Sequence, residues 1–230
     1  MPLSGQVQGA MPSVPGFDSD TVISAALAQQ CYALGYKFCL RYLSLDEESP
    51  GDLSAQEAAD ILNSGLALMP VQHVREPGWF PTQSLGQQDG GTAVLNAQNV
   101  GFPAGVNVWC DFDGAVSVTQ LQNVIGYCEA WYEAVQAGGY VPGLYVGAGA
   151  VLNGQQLDDL PFQHYWRSAS NVPDIPNRSY QLIQFSPTIS INGVMVQFQA
   201  PPTSTKGVQI DLDFTQNDNL GGQSQWLRLP

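Results

Sequence analysis

The sequence predicts an α/β fold, a single TIM-like barrel of the (β/α)5(β)3 kind, and three observations lead there. Short apolar runs alternate with longer stretches of helical period through Gly147, and after that point the helices fade while apolar runs continue. Eight such runs can be counted, the number that closes a barrel. No linker divides the 230 residues, so one domain is expected, and an open α/β sheet is the competing arrangement.

The strand-like runs are VPGFD (14–18), YKFCLRYL (36–43), LALMPVQH (66–73), NVWCDFD (107–113), VPGLYVG (141–147), HYWRSAS (164–170), YQLIQFS (180–186) and VQIDLDF (208–214). Helices are expected over 21–35, 53–65, 90–101 and 116–139. The first stops at Gly35. The second has Ser54 as its cap, Glu57 three residues on and Gly65 as its stop. The last carries Val124, Tyr127, Cys128, Trp131 and Val135 at three- and four-residue steps, a core-facing stripe. NVPDIPNR (171–178) is too short and proline-rich for a crossover helix, and Asn192-Gly193 suggests a hairpin before the final strand. Residues 14–217 are therefore expected to form the barrel, with 1–13 an N-terminal extension and 218–230 a C-terminal tail.

Composition removes several classes of function. Seven basic residues stand against twenty acidic ones, a formal charge of −13 that repels nucleic acid and anionic lipid. A neutral glycan is an easier partner. No apolar run reaches membrane-spanning length, and the first residues have neither a basic start nor an apolar core. Cys31, Cys39, Cys110 and Cys128 fit neither a zinc motif nor a CxxC pair. Two disulfides and four buried thiols both remain open. His73 and His164 lie alone, no cofactor motif is present and no metal is expected.

The chemistry concentrates in aspartates at strand ends. Alternation puts Asp111 and Asp113 on one face, about 7 Å apart, with Cys110 and Phe112 on the other. Asp211 and Asp213 pair in the same way. In a barrel, Asp18, Asp113 and Asp213 at the carboxyl ends of strands one, four and eight would converge, and apolar surroundings would raise at least one pKa. A carboxylic acid and a second carboxylate are what glycoside hydrolysis needs. A solvated strand end at Gly114, or a divalent cation held by oxygen ligands, are the other readings of Asp-x-Asp.

Arg41 is a candidate to pair with Asp18 or Asp111 or to fork onto substrate, or else a strand-end salt bridge. Trp79 is either a glycan platform or a plug under its loop. Trp109 is expected to fill the barrel interior. Tyr145 and Trp166 could stack on sugar faces and Gln184 could bond a hydroxyl, or each could be packing.

The runs PGFD (15–18), FCLRYL (38–43), LMPVQ (68–72), VWCDFD (108–113), PGLYVG (142–147), YWRSAS (165–170), YQLIQFS (180–186) and VQIDLDF (208–214), in that order, resemble the bacterial glycoside-hydrolase-like TIM-barrel domains related to family 25 lysozymes. The resemblance runs from Gly16 to about Asn217. It implies a (β/α)5(β)3 barrel with Asp18 at the first strand, Asp111 and Asp113 in the fourth-strand Asp-x-Glu positions, and Asp213 or Asp211 at the last. It implies Asp113 as the acid, with Asp111, Asp18 and Asp213 orienting it, filling the second role or holding substrate together with Asp211. Asp113 stands where the lysozymes carry Glu, and YWRSAS lacks an acid that they place near the sixth strand. The implied substrate is a polysaccharide, peptidoglycan or a related glycan, met outside the cell or at its wall. A barrel that has lost catalysis and binds glycan or serves structure is the other reading.

Overall fold

The computed structural model describes residues 2–46, 49–115, 120–148, 150–185, 188–191, 194–197, 208 and 210–230. Eight strands close a barrel. They are β2 (Pro15–Ser19), β3 (Phe38–Leu43), β4 (Ala67–Gln72), β5 (Asn107–Phe112), β6 (Val141–Val146), β7 (His164–Arg167), β8 (Leu182–Phe185) and β11 (Asp211–Thr215). The ring is completed where Val71 and Gln72 pair with Trp109 and Cys110. Strands β2 to β8 run parallel, and β11 closes the gap antiparallel to both β8 and β2. Helices α1 (Ala25–Ala33), α2 (Ala55–Asn63), α3 (Gln83–Val100), α4 (Leu121–Ala137) and α5 (Gly154–Asp159) join the first six barrel strands. The layout is the expected (β/α)5(β)3 barrel.

Alternation along each strand sorts side chains into two layers. Phe38, Leu40, Met69, Val71, Trp109, Trp166 and Leu182 fill the interior. Phe17, Cys39, Leu43, Leu68, Val108, Cys110, Leu144 and Leu212 face the helices. Gly16 and Gly143 make the interior packing possible. A Cβ at Gly143 would lie 2.4 Å from the Trp109 ring, and one at Gly16 would lie 2.4 Å from the Phe38 ring. Trp109 is thus the interior filler that its parity indicates.

Ser54 caps α2 by accepting from Glu57 N at 3.1 Å, but the Glu57 carboxylate turns to Arg41 and does not close a capping box. The buried stripe of α4 contains Val124, Tyr127, Cys128, Trp131 and Val135, as expected. Helix α3 begins at Gln83, well before the expected residue 90, with Thr82 as its cap. Gly86 and Gly90, which weaken the helical pattern there, let α4 come close: Cβ atoms on them would lie 2.2 Å from Tyr127 O and 2.7 Å from Trp131 O. All four cysteines are buried free thiols.

The ends of the chain add strands. β1 (Gln6–Gly9) pairs antiparallel with β12 (Gln225–Arg228), and β12 joins the sheet at Leu68 of β4. Trp226 and Ala10 belong to the interior cluster, so these segments, expected as an extension and a tail, close the end of the barrel where the parallel strands begin. Asn107 ties that end together, its Oδ1 accepting from Gln225 N at 2.6 Å and lying 2.9 Å from His164 Nδ1. Strands β9 (Thr188–Ile191) and β10 (Val194–Gln197) pair antiparallel outside the barrel, while Asn192 and Gly193 lie outside the described residues. No helix among the described residues is long and apolar enough to cross a membrane.

Candidate functional site

The opposite end of the barrel gathers aspartates. Asp18 lies one residue before the end of β2 and points inward, since its neighbour Phe17 belongs to the outer layer. Asp111 follows Trp109 on the inner face of β5. Asp113 lies just past the last residue of β5 and is exposed. Its carboxyl lies over Gly147, where a Cβ would come within 3.1 Å of Asp113 Cγ, and its Oδ1 accepts from Gly114 N at 2.7 Å.

The direction of β11 corrects one expectation. From the sequence, Asp213 is expected with Asp18 and Asp113 at the converging carboxyl ends of the strands. Because β11 runs antiparallel, its beginning faces the mouth, and Asp211 sits opposite Asp18 while Asp213 lies deeper, opposite Gly16. Asp213 is 0% exposed and Asp18 4%.

Gln184 of β8 connects these groups. Its Nε2 donates to Asp18 Oδ2 at 3.0 Å and to Asp211 Oδ2 at 3.4 Å, while its Oε1 accepts from the Tyr145 hydroxyl at 3.1 Å. Trp166 Nε1 donates to Asp213 Oδ1 at 2.8 Å. Among the described residues no donor reaches Asp213 Oδ2, and the Asp18 carboxyl is its acidic neighbour. Two facing carboxyls need a shared proton. Burial first, and then Asp18, hold Asp213 well above the usual carboxylate range. Burial likewise lifts Asp18 to about 7, although hydrogen bonds from Asp213 and Gln184 oppose the rise. Asp111 is pushed up to about 8 by burial and by the charges of Asp113 and Asp18, against a hydrogen bond from Tyr42. Among the described residues no donor reaches Asp111 Oδ1, which suits a neutral acid. Asp211 is raised more modestly, again chiefly by burial.

Among the other expected site residues, Tyr145 and Gln184 do meet the aspartates. Trp166 is 0% exposed, packs edge-on against Tyr145 at 4.6 Å and holds Asp213, so its face is closed to a sugar. Arg41 points the other way. It lies between barrel and helices, where Nε and Nη2 contact Glu57 at 2.6 and 3.3 Å and Nη1 donates to Ser19 O at 2.6 Å. It reaches neither Asp18 nor Asp111, because inward Phe38, Leu40 and Tyr42 put Arg41 on the outer face. Trp79 packs on Phe112 and Tyr127 and donates Nε1 to Asp113 O at 2.8 Å, which is the plug arrangement and not an open platform.

Sequence reasoning missed Tyr42, Asp20 and His73. Tyr42 neighbours Asp111, packs in a tilted arrangement on His73 with ring centroids 5.2 Å apart, and with Asp18, Ser19, Asp20 and Asp211 lines a cavity of about 90 Å³. The alternation that selects Asp18 would have selected Tyr42, but FCLRYL is apolar on both faces and hides its parity. Larger cavities of about 450 and 280 Å³ lie on the helices and against the chain ends, away from the carboxyls. Among the described residues, no group of three His, Cys, Asp or Glu side chains is placed to hold a metal ion.

The family model for the Rv2525c-like, glycoside hydrolase-like domain matches residues 29–215. Several solved structures share the fold. The Tat-secreted protein Rv2525c of Mycobacterium tuberculosis, solved with HEPES, aligns at 17% identity and a TM-score of 0.60, over 88% of this chain and 95% of that one. A muramidase from Acremonium alcalophilum aligns at 12% identity and 0.57, over 90% and 95%. A family 25 glycosyl hydrolase from Bacillus anthracis aligns at 10% identity and 0.54, over 94% and 96%. No curated protein matches the sequence.

Proposed function

The chain belongs to the Rv2525c-like, glycoside hydrolase-like family, and we propose that it hydrolyses a glycan, peptidoglycan or a related polymer, by carboxyl acid/base chemistry at the mouth of its barrel. The supporting observation is the gathering of Asp18, Asp111, Asp113, Asp211 and Asp213 at one end of the ring, with Gln184 binding both Asp18 and Asp211. Asp113 is the exposed carboxyl at the rim and is assigned the proton for the leaving oxygen. Asp18, at about 7, is divided between its two forms near neutrality and takes the second role, as base or as stabiliser of positive charge on the sugar ring. Asp111 keeps its proton at neutral pH and spares the rim one negative charge. Asp211, Tyr145 and Gln184 are placed to meet sugar hydroxyls. The likeness to a Tat-secreted protein and to a muramidase supports a substrate outside the cytoplasm.

A second reading, a glycan-binding barrel without turnover, is favoured by the small cavity of about 90 Å³ and by Asp at the rim position where the lysozymes carry Glu. The two readings part in one experiment. The protein and Asp113→Asn are incubated with purified peptidoglycan and a glycan panel, and reducing ends are counted. Hydrolysis predicts release by the wild type and a loss of about 100-fold or more in the variant. Binding without release supports the second reading, and equal release by both proteins removes Asp113 from the acid role.

A further inference from the structure

We propose that Trp79 is a positioning residue for Asp113, fixing the acid from behind through its main chain. The inference rests on Asp113 as proton donor, but its geometry stands apart from that role. Strand β5 ends at Phe112, so Asp113 lies beyond the last ladder residue. The loop after β4 holds it instead. Trp79 Nε1 donates to Asp113 O at 2.8 Å, Gly78 N donates to Gly114 O at 2.8 Å, and Trp79 bridges to Ala115 in parallel register. Gly114 has φ +69°, and a Cβ there would lie 3.3 Å from Pro77 Cα, so the two segments are in close contact.

The loop is itself anchored. The Trp79 ring packs on Phe112 and Tyr127 with centroids 5.3 and 5.0 Å away, and those two rings lie 5.5 Å from each other. The Tyr127 hydroxyl donates to Asp89 Oδ2 at 2.8 Å. Asp89 is 1% exposed and also accepts Arg75 Nε at 2.8 Å and Nη2 at 2.5 Å. Helices α3 and α4 therefore hold a loop that holds one peptide group. The Asp113 carboxyl stays exposed while its backbone cannot drift. A displacement of about 1 Å at a reacting group costs about 100-fold in rate, so a bond of this kind governs turnover without touching substrate.

Trp79→Phe keeps a ring and removes the N–H. On a glycan with a poor leaving group, kcat should fall about tenfold or more with KM within about twofold. On an aryl glycoside of the same sugar whose leaving group departs without protonation, kcat should change by less than about twofold, because the acid is then not needed. Equal losses on both substrates, or no loss on either, would overturn the proposal. A second measurement needs no turnover. Exchange of the Gly114 amide hydrogen should quicken about tenfold in Trp79→Phe, while Trp109 and Cys110 in β5 keep their protection. Unchanged Gly114 exchange overturns the positioning role. A wild type that is inert on every glycan overturns the hydrolase reading alone, and amide exchange then decides the role of Trp79.

Discussion

The two faces of the barrel wall treat charge in opposite ways. On the outer face of β3, Arg41 and the Glu57 carboxylate meet at 2.6 Å with 0% and 5% of their side chains exposed, and the remaining guanidinium donors find Ser19 O and Gly51 O. On the inner face, Asp18 and Asp213 are as deeply buried, but the groups bonded to them are each other, Gln184 and Trp166, and none of these is a cation. A charge that serves the scaffold has a partner of opposite sign. Among the described residues Asp18, Asp111 and Asp213 have no such partner, and burial holds all three above the usual carboxylate range.

The strongest way to break this contrast is on the outer face. Glu57→Gln leaves Arg41 charged, enclosed and without its counter-ion, a defect that costs about 3–5 kcal/mol. It also weakens the bond from Ile23 N, which reaches Glu57 Oε1 at 2.7 Å. Urea or thermal unfolding should show this loss with little dependence on pH near neutrality.

The inner face should give the reverse sign. Asp111→Asn removes a charge that the fold accommodates poorly, so at about pH 8 stability should rise by about 1–2 kcal/mol. The pH profile sharpens the point. Asp18 and Asp111 start from 3.8 and reach about 7 and about 8 in the folded chain. From about pH 4 to pH 8 the folded state holds protons that the unfolded state has released, so these two groups make stability fall as pH rises. Below that window both states are protonated and above it both are ionised, and their contribution to the slope vanishes. Melting temperatures across the window should decline in the wild type and decline less in Asp111→Asn.

The smallest effect tests the polar bridge over the mouth. Tyr145→Phe removes the hydroxyl that donates to Gln184 at 3.1 Å. Stability should change by about 0.5–1.5 kcal/mol. Glycan affinity should fall further than stability does, which titration calorimetry against an oligosaccharide can measure.

Much of this wall was legible in the sequence, for reasons that differ from strand to strand. The inward faces of Asp18 and Asp111 were legible because each follows a short apolar run and obeys the period of two, whereas at the last strand Asp213 was preferred to Asp211. Of the two readings of Arg41 the structure holds the salt bridge, with Glu57. Its outward direction was not legible because FCLRYL is apolar on both faces, as a strand between a filled interior and a helix layer must be. The depth of Asp213 depended on the direction of β11, and direction is a matter of tertiary connection that strand composition does not record. β1 and β12 were missed because QVQG and QWLR are too short to show a period and gain their pairing from each other. The early start of α3 was hidden by glycines whose purpose lies in α4.

Trp226 and Ala10 at one end, with Phe38, Trp109 and Trp166 above them, make the barrel a cup and not a tube. Among the described residues the filled end leaves no passage, so the aspartates are reached from the rim. On the proposed hydrolase reading, a departing product and an arriving ligand would use the same side, and the cup would have to empty before it refilled. A long polymer has no bore to thread and can only lie across the lip.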